Sequence, residues 1–201
     1  VAHARRSAPW RRLFAPAVLF MMLGYLAKRI DRAGLKERMQ RMLLGGRLAP
    51  QAMQDAATAF ADRVVATGVF TGAREQLKAD RAAGYKLVMA TASYRFYAAA
   101  IAERLGFDAV IATESEFAED GSLLPKLMGE NCYGPAKLRM IEAWFAEQKI
   151  DRADAYVRFY SDHVSDAPVL EWADEPFAVN ASPKLRKLAK AKGWPIVDWE
   201  R

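Results

Sequence analysis

A chain of 201 residues, 52% of them hydrophobic and with only 12 glycines and 9 prolines, can bury a sizeable core, which excludes intrinsic disorder and leaves room for one or two domains. Its single cysteine, Cys132, excludes an internal disulfide, and with only His3 and His163 beside it no zinc-ligand spacing can be assembled. The net charge of +6 is concentrated at one end: residues 1–47 hold eleven Arg and Lys against Asp31 and Glu37, a balance of +9, leaving −3 for residues 48–201.

That cysteine usage fits a reducing, cytoplasmic setting, and any bound metal would be a hard cation on oxygen ligands, magnesium first. The basic leading quarter points to an anionic partner, or else to a well-solvated helix surface. Nucleic acid is disfavoured among such partners, because the basic residues are not interleaved with aromatics.

In chain order, the first feature is LFAPAVLFMMLGYLA, residues 13–27, flanked by Arg11-Arg12 and Lys28-Arg29. As a helix it reaches about 22 Å, short of the ~30 Å hydrocarbon layer of a bilayer. A buried or interfacial helix is therefore favoured over a spanning one, and the second basic flank argues against a secretory signal. DRAGLKERMQRMLLGG (31–46) and APQAMQDAATAFADRVVATG (49–68) follow as helices, with Pro50 at a start and glycines after each end. Residues 1–67 thus predict a small helical bundle.

After Gly68 helices alternate with short apolar strands. Helix AREQLKADRAAG precedes strand YKLVMATAS, helix YRFYAAAIAERLG precedes strand FDAVIATE, and ESEFAEDGSLLPKL turns as a hairpin at Asp120-Gly121. Helix PAKLRMIEAWFAEQ, strand AYVRFYSD, short helix PVLEWA, strand PFAVN, helix PKLRKLAKAKG and strand PIVDW complete the series. Strands of five to eight residues separated by helices predict βα units and a parallel sheet.

In such a sheet ligands gather at the carboxyl ends of the strands. Three features fall there. Thr91-Ala92-Ser93 ends one strand where a helix begins, so its hydroxyls either cap that helix or form an anion site. Lys137 sits in the first turn of the helix after GENCYGP, where it opposes the macrodipole and would suit pairing with a phosphate or a carboxylate, unless it is an ordinary surface lysine. Asp162 and Asp166 flank an exposed His163 after strand AYVRFYSD, and two such carboxylates repel unless a cation or a hydrogen-bond network holds them.

The order LVMATAS, then GPAK, then YSDHVSDAPVLEWADEPFAVN, then LRKLAKAKGWPIVDW resembles the haloacid-dehalogenase (HAD) superfamily, in its phosphoserine-phosphatase-like branch. Residues 68–201 carry the likeness, and residues 1–67 occupy the place of that branch's helical cap. The resemblance implies an α/β fold with a Rossmann-like parallel-sheet core and a helical cap domain. It assigns Thr91, with the N–H of Ala92, to the transferring phosphoryl group, and Lys137 to the charge of nucleophile and phosphate. Asp162 matches the Mg²⁺ ligand and Asp166 a second acid supporting that metal, whereas Ser165 stands where close relatives often carry Asn. Implied is a magnesium-dependent phosphomonoester hydrolase working through an aspartyl-phosphate on a small phosphorylated substrate, and the apolar, basic cap hints at an apolar part to that substrate. The family's two aspartates of the DxDx(T/V) motif are missing from this sequence, so the nucleophile is expected on a segment upstream of residue 1. The alternative is a non-catalytic anion-binding or membrane-associated protein on the same fold.

Overall fold

The computed structural model describes residues 32–200, so the apolar stretch 13–27 and Asp31 lie outside the described residues. Among those residues no helix is long and apolar enough to cross a membrane. Three helices come first: α1 (Arg32–Leu44), α2 (Pro50–Thr67) and α3 (Thr71–Ala82). An alternating series follows, with β1 (Val88–Tyr94), α4 (Arg95–Leu105), β2 (Ala109–Phe117), β3 (Leu123–Met128) and α5 (Pro135–Glu147). It continues through β4 (Arg158–Ser161), a 3₁₀ turn at Val164–Asp166, α6 (Ala167–Trp172), β5 (Glu175–Val179), α7 (Pro183–Lys192) and β6 (Ile196–Val197).

The α/β alternation of the sequence is realised, but as two three-stranded sheets, ordered β1-β2-β3 and β4-β5-β6. Strands joined through a helix pair parallel, β1 with β2, β4 with β5 and β5 with β6, as crossover connections require. β2 and β3 pair antiparallel. Their turn is the expected one: Gly121 has φ +75°, and Asp120 Oδ1 accepts from Ser122 N at 3.0 Å. Among the described residues β1 and β4 each keep one side without a ladder partner.

One apolar cluster reaches both sheets. Ile111, Cys132, Ile141 and Val169 are its buried centre, with Val88 and Ala90 of β1, Phe159 of β4 and Trp144 of α5 packed against it. α5 therefore bridges the two halves. Beneath β4 and β5 a second cluster gathers Leu170, Ala178, Leu185 and Ala189. A polar knot fixes α3 to β4: buried Asp80 accepts from Arg158 Nη1 and from the Tyr160 hydroxyl, both at 2.9 Å. Burial and that Asp80 bond push the Tyr160 phenol up.

The described part of residues 1–67 rests on the α/β elements. α2 packs along α4, where Ala57 and Ala61 on one helix and Ala98 and Ala102 on the other are buried. α1 packs on β3 and covers the outer edge of the hairpin: Glu37 Oε1 accepts from Leu127 N at 2.7 Å, and Gln40 Nε2 donates to the Leu124 carbonyl at 3.3 Å. Leu48 closes the same edge with two backbone bonds to Leu123, at 2.8 and 3.0 Å. An exposed strand edge is thereby blunted.

Candidate active site

The end of β1 is not a plain strand end. Thr91 pairs with Ala112 and Tyr94 with Thr113, so Ala92 and Ser93 bulge out of the ladder between them. Thr91 Oγ1 pins the bulge by accepting from Ser93 N at 3.1 Å. A hydroxyl that accepts in this way still has its own proton to donate. The helix-capping reading fails for both hydroxyls, because the residue preceding α4 is Tyr94 and no side chain caps that end.

Lys137 enters from α5, which opens at Gly134-Pro135. Gly134 takes φ +59° and ψ −135°, a conformation that glycine alone adopts freely, and its carbonyl accepts from Lys137 N at 3.0 Å. This start turns the lysine inward, so it is no ordinary surface residue. Lys137 is buried, and its Nζ donates to Asp166 Oδ2 at 2.6 Å. The side chains keep 8% and 10% of their surface, an ion pair held out of water. Ser161, buried at the end of β4, donates to the same oxygen at 2.9 Å.

Asp162 lies differently. It is exposed, and its backbone carbonyl accepts from Ser182 N at 2.8 Å. His163 is exposed as expected, and its Nδ1 accepts from Ser165 N at 3.2 Å. Of the two devices expected to hold paired carboxylates, a donor network is present on one of the aspartates: Lys137 and Ser161 both bond Asp166 Oδ2, and Asp162 is exposed. What remains for a metal is the Asp162 carboxylate and Asp166 Oδ1. Among the described residues no three His, Cys, Asp or Glu side chains converge as metal ligands. Magnesium keeps several waters and can be held by one or two carboxylates, so the two aspartates fit part of such a site.

Cys132 joins the pieces. Its amide donates to Thr113 Oγ1 at 3.1 Å and its thiol reaches the Ile111 carbonyl at 3.7 Å. Burial pushes the thiol pKa up, Lys137 and Lys36 draw it down, Asp166 raises it, and a Thr91 backbone bond lowers it. Thr91, Lys137 and Asp166 thus all act on one buried thiol, so three of the four sequence-derived side chains gather near it, whereas Asp162 is exposed. A raised pKa and complete burial make that thiol inert.

Sequence reasoning missed four residues here: Lys36, Thr113, Asn131 and Ser161. Lys36 on α1 bonds the Ala92 carbonyl and, at 3.1 Å, Asn131 Oδ1. Its ammonium pKa is lowered to about 8, chiefly by burial, with Cys132 acting the other way. Ser161 alone carried a signal, its place at a strand's carboxyl end.

Residues 1–171 match the family described as haloacid dehalogenase-like hydrolase. The chain belongs to that family. The match takes in residues 1–67 as well as β1 to β4 and most of α6, and stops short of β5, α7 and β6. Among curated HAD relatives, a phosphoserine phosphatase of Mycobacterium tuberculosis is 31% identical over 140 residues, 69% of this chain and 44% of that protein. A histidinol-phosphatase of Neisseria meningitidis is 28% identical over 129 residues, 63% of this chain and 58% of its own length. The "Inhibition of morphological differentiation protein" of Streptomyces azureus is 33% identical over 133 residues, 66% and 47% of the two chains. The chain thus spans about half the length of the curated relatives it matches. Of solved HAD-like structures, a protein of unknown function from Bordetella pertussis Tohama I aligns over 98% of this chain and 88% of its own, with a TM-score of 0.83 and 27% identity. A substrate-bound phosphoserine phosphatase aligns over 98% and 83% with a TM-score of 0.61 at 18% identity, a likeness of fold.

Proposed function

We propose that this HAD chain serves a phosphomonoester hydrolase that transfers the phosphoryl group to an aspartate and then to water. The observation that carries the reading is the buried Lys137–Asp166 pair beside the pinned Ala92–Ser93 bulge. An ammonium from the first turn of α5 and a free hydroxyl proton at the end of β1 suit a phosphate dianion. Thr91 donates its hydroxyl proton to a phosphoryl oxygen, the Ala92 N–H adds a second donor, and Lys137 offsets the charge that nucleophile and phosphate bring together. Asp162 and Asp166 Oδ1 would hold Mg²⁺, which when bound supplies Lewis-acid stabilisation of the phosphoryl oxygens. Asp166 also fixes the lysine's position, with Ser161 fixing Asp166.

The nucleophile belongs, on this reading, to an Asp-x-Asp strand preceding residue 1. The unpaired sides of β1 and β4 support it, since a strand between them would end beside both Thr91 and Ser161. Residues 1–67, which include α1 and α2, serve as the cap, closing over the ester and excluding water. Its basic, apolar character favours a small phosphate ester with an apolar part.

The test is direct. Residues 1–201 alone should turn over no ester in a mixed panel of phosphate monoesters, and the same chain extended upstream to include a DxDx(T/V) segment should do so with Mg²⁺ present. Turnover by the short form refutes the assignment of the nucleophile, and equal hydrolysis after chelation of magnesium refutes the mechanism.

A further inference from the structure

Helix α1 sends one side chain into the site's edge that phosphoryl transfer does not account for. Lys36 Nζ donates to the Ala92 carbonyl and to Asn131 Oδ1 at 3.1 Å, and lies 4.2 Å from the centre of the Tyr94 ring. Thr113, buried on β2, meets the same two acceptors: its hydroxyl is 3.0 Å from Ala92 O and 2.9 Å from Asn131 Oδ1. The Thr113 oxygen also accepts from Cys132 N at 3.1 Å.

Counting donors gives Lys36 its part. A hydroxyl has one proton, so at any moment Thr113 serves Ala92 O or Asn131 Oδ1 and leaves the other. An ammonium has three, so Lys36 covers whichever acceptor Thr113 leaves. Without it one acceptor in a partly buried network loses its donor, and such half-satisfied networks are the costly ones. The two acceptors are also well chosen. Ala92 lies in the bulge between Thr91 and Tyr94, and Asn131 precedes Cys132 in the loop that leads to Lys137. The same helix is tied to β3 through Glu37 and Gln40, so Lys36 projects from an anchored element.

We infer that Lys36 is a positioning residue: through the Ala92 carbonyl and the Asn131 carboxamide it holds the Ala92–Ser93 bulge and the 129–134 loop in one arrangement, so that docking of α1 sets the grip on phosphate. The identity of the anion rests on the phosphatase reading, whereas the coupling of helix to loops does not.

The experiment compares the 201-residue chain with its Lys36→Met and Lys36→Arg variants in two measurements. Amide hydrogen exchange is followed over residues 88–94 and 129–134, with 175–179 of β5 as the control, and inorganic phosphate is titrated by calorimetry. Lys36→Met should exchange about tenfold faster in both loops and no faster in β5, and should bind phosphate about tenfold more weakly, the size of one charge-assisted hydrogen bond. Lys36→Arg, whose guanidinium can serve two acceptors, should restore both. Unchanged exchange in either loop, an equal rise in β5, or equal phosphate affinity in wild type and Lys36→Met overturns the inference. If none of the three proteins binds phosphate, the phosphate grip assigned to Thr91, Ala92 and Lys137 falls. Exchange then decides alone: joint loosening of the two loops upholds the coupling, and any other pattern ends it.

Discussion

Replacing Lys137 with methionine tests the site where its energetics are sharpest. The Lys137 and Asp166 side chains retain 8% and 10% of their surface at a separation of 2.6 Å. Truncating the ammonium leaves a carboxylate out of water with the Ser161 hydroxyl, at 2.9 Å, as its remaining donor. Removing one member of a buried pair costs about 3–5 kcal/mol. In a chain of this size each kcal/mol lowers the melting temperature by roughly 2–4 °C, so Lys137→Met should melt about 6–20 °C below wild type. The double variant Lys137→Met/Asp166→Leu leaves no orphan charge and should recover most of that loss. Phosphate binding should not recover with it. Thermal melts at pH 7, read with urea titrations, give both arms of the comparison. A single variant within about 1 kcal/mol of wild type, or a double variant as unstable as the two singles summed, refutes the account of the pair.

Three further outcomes follow from named contacts. Thr91→Val removes the proton proposed to meet phosphate and the acceptor of Ser93 N, and in a chain carrying the proposed upstream strand should lower kcat/KM about 10²–10³-fold, with Thr91→Ser restoring most of it; steady-state kinetics on one ester decides. Lys36 titrates at about 8 in the folded chain against an ordinary 10.5, so the unfolded chain holds the extra proton between those values. Folded stability relative to Lys36→Met should therefore be lowest below pH 8 and rise as pH climbs towards 10.5, which paired melts across that range will show or deny. Gly72→Ala, inside α3, would gain helix propensity of about 1 kcal/mol on an open surface. Here the added Cβ would stand 2.6 Å from the Trp199 ring, and overpacking of about 1–3 kcal/mol should win, giving a lower melting temperature.

Much of the fold was legible because its signals are local. Apolar runs such as LVMATAS and PFAVN, bounded by Gly84 and Asn180, marked strands, and Pro50, Pro135 and Pro183 each stand at the head of the helix expected there. The Asp120-Gly121 turn carried its own chemistry. The order of strands within each sheet was not legible, because it is a property of the assembled chain. Nor was the bulge at Ala92–Ser93, which exists only in the register with β2. Lys137 and Asp166 were each singled out, but their pairing across 29 positions was not, because a contact between separate elements leaves no local pattern. Lys36 looked like any charge on an amphipathic helix. Its contact with Ala92, 56 positions away, leaves no pattern in a single sequence.

The open sides of β1 and β4 carry a further consequence. A newcomer laid between them would gain a ladder along both margins at once, and half an insertion would leave its other margin dry and unbonded. Such an arrival is close to all-or-nothing. If that newcomer is the proposed Asp-x-Asp strand, welding the two sheets and arming the chemistry would be a single event.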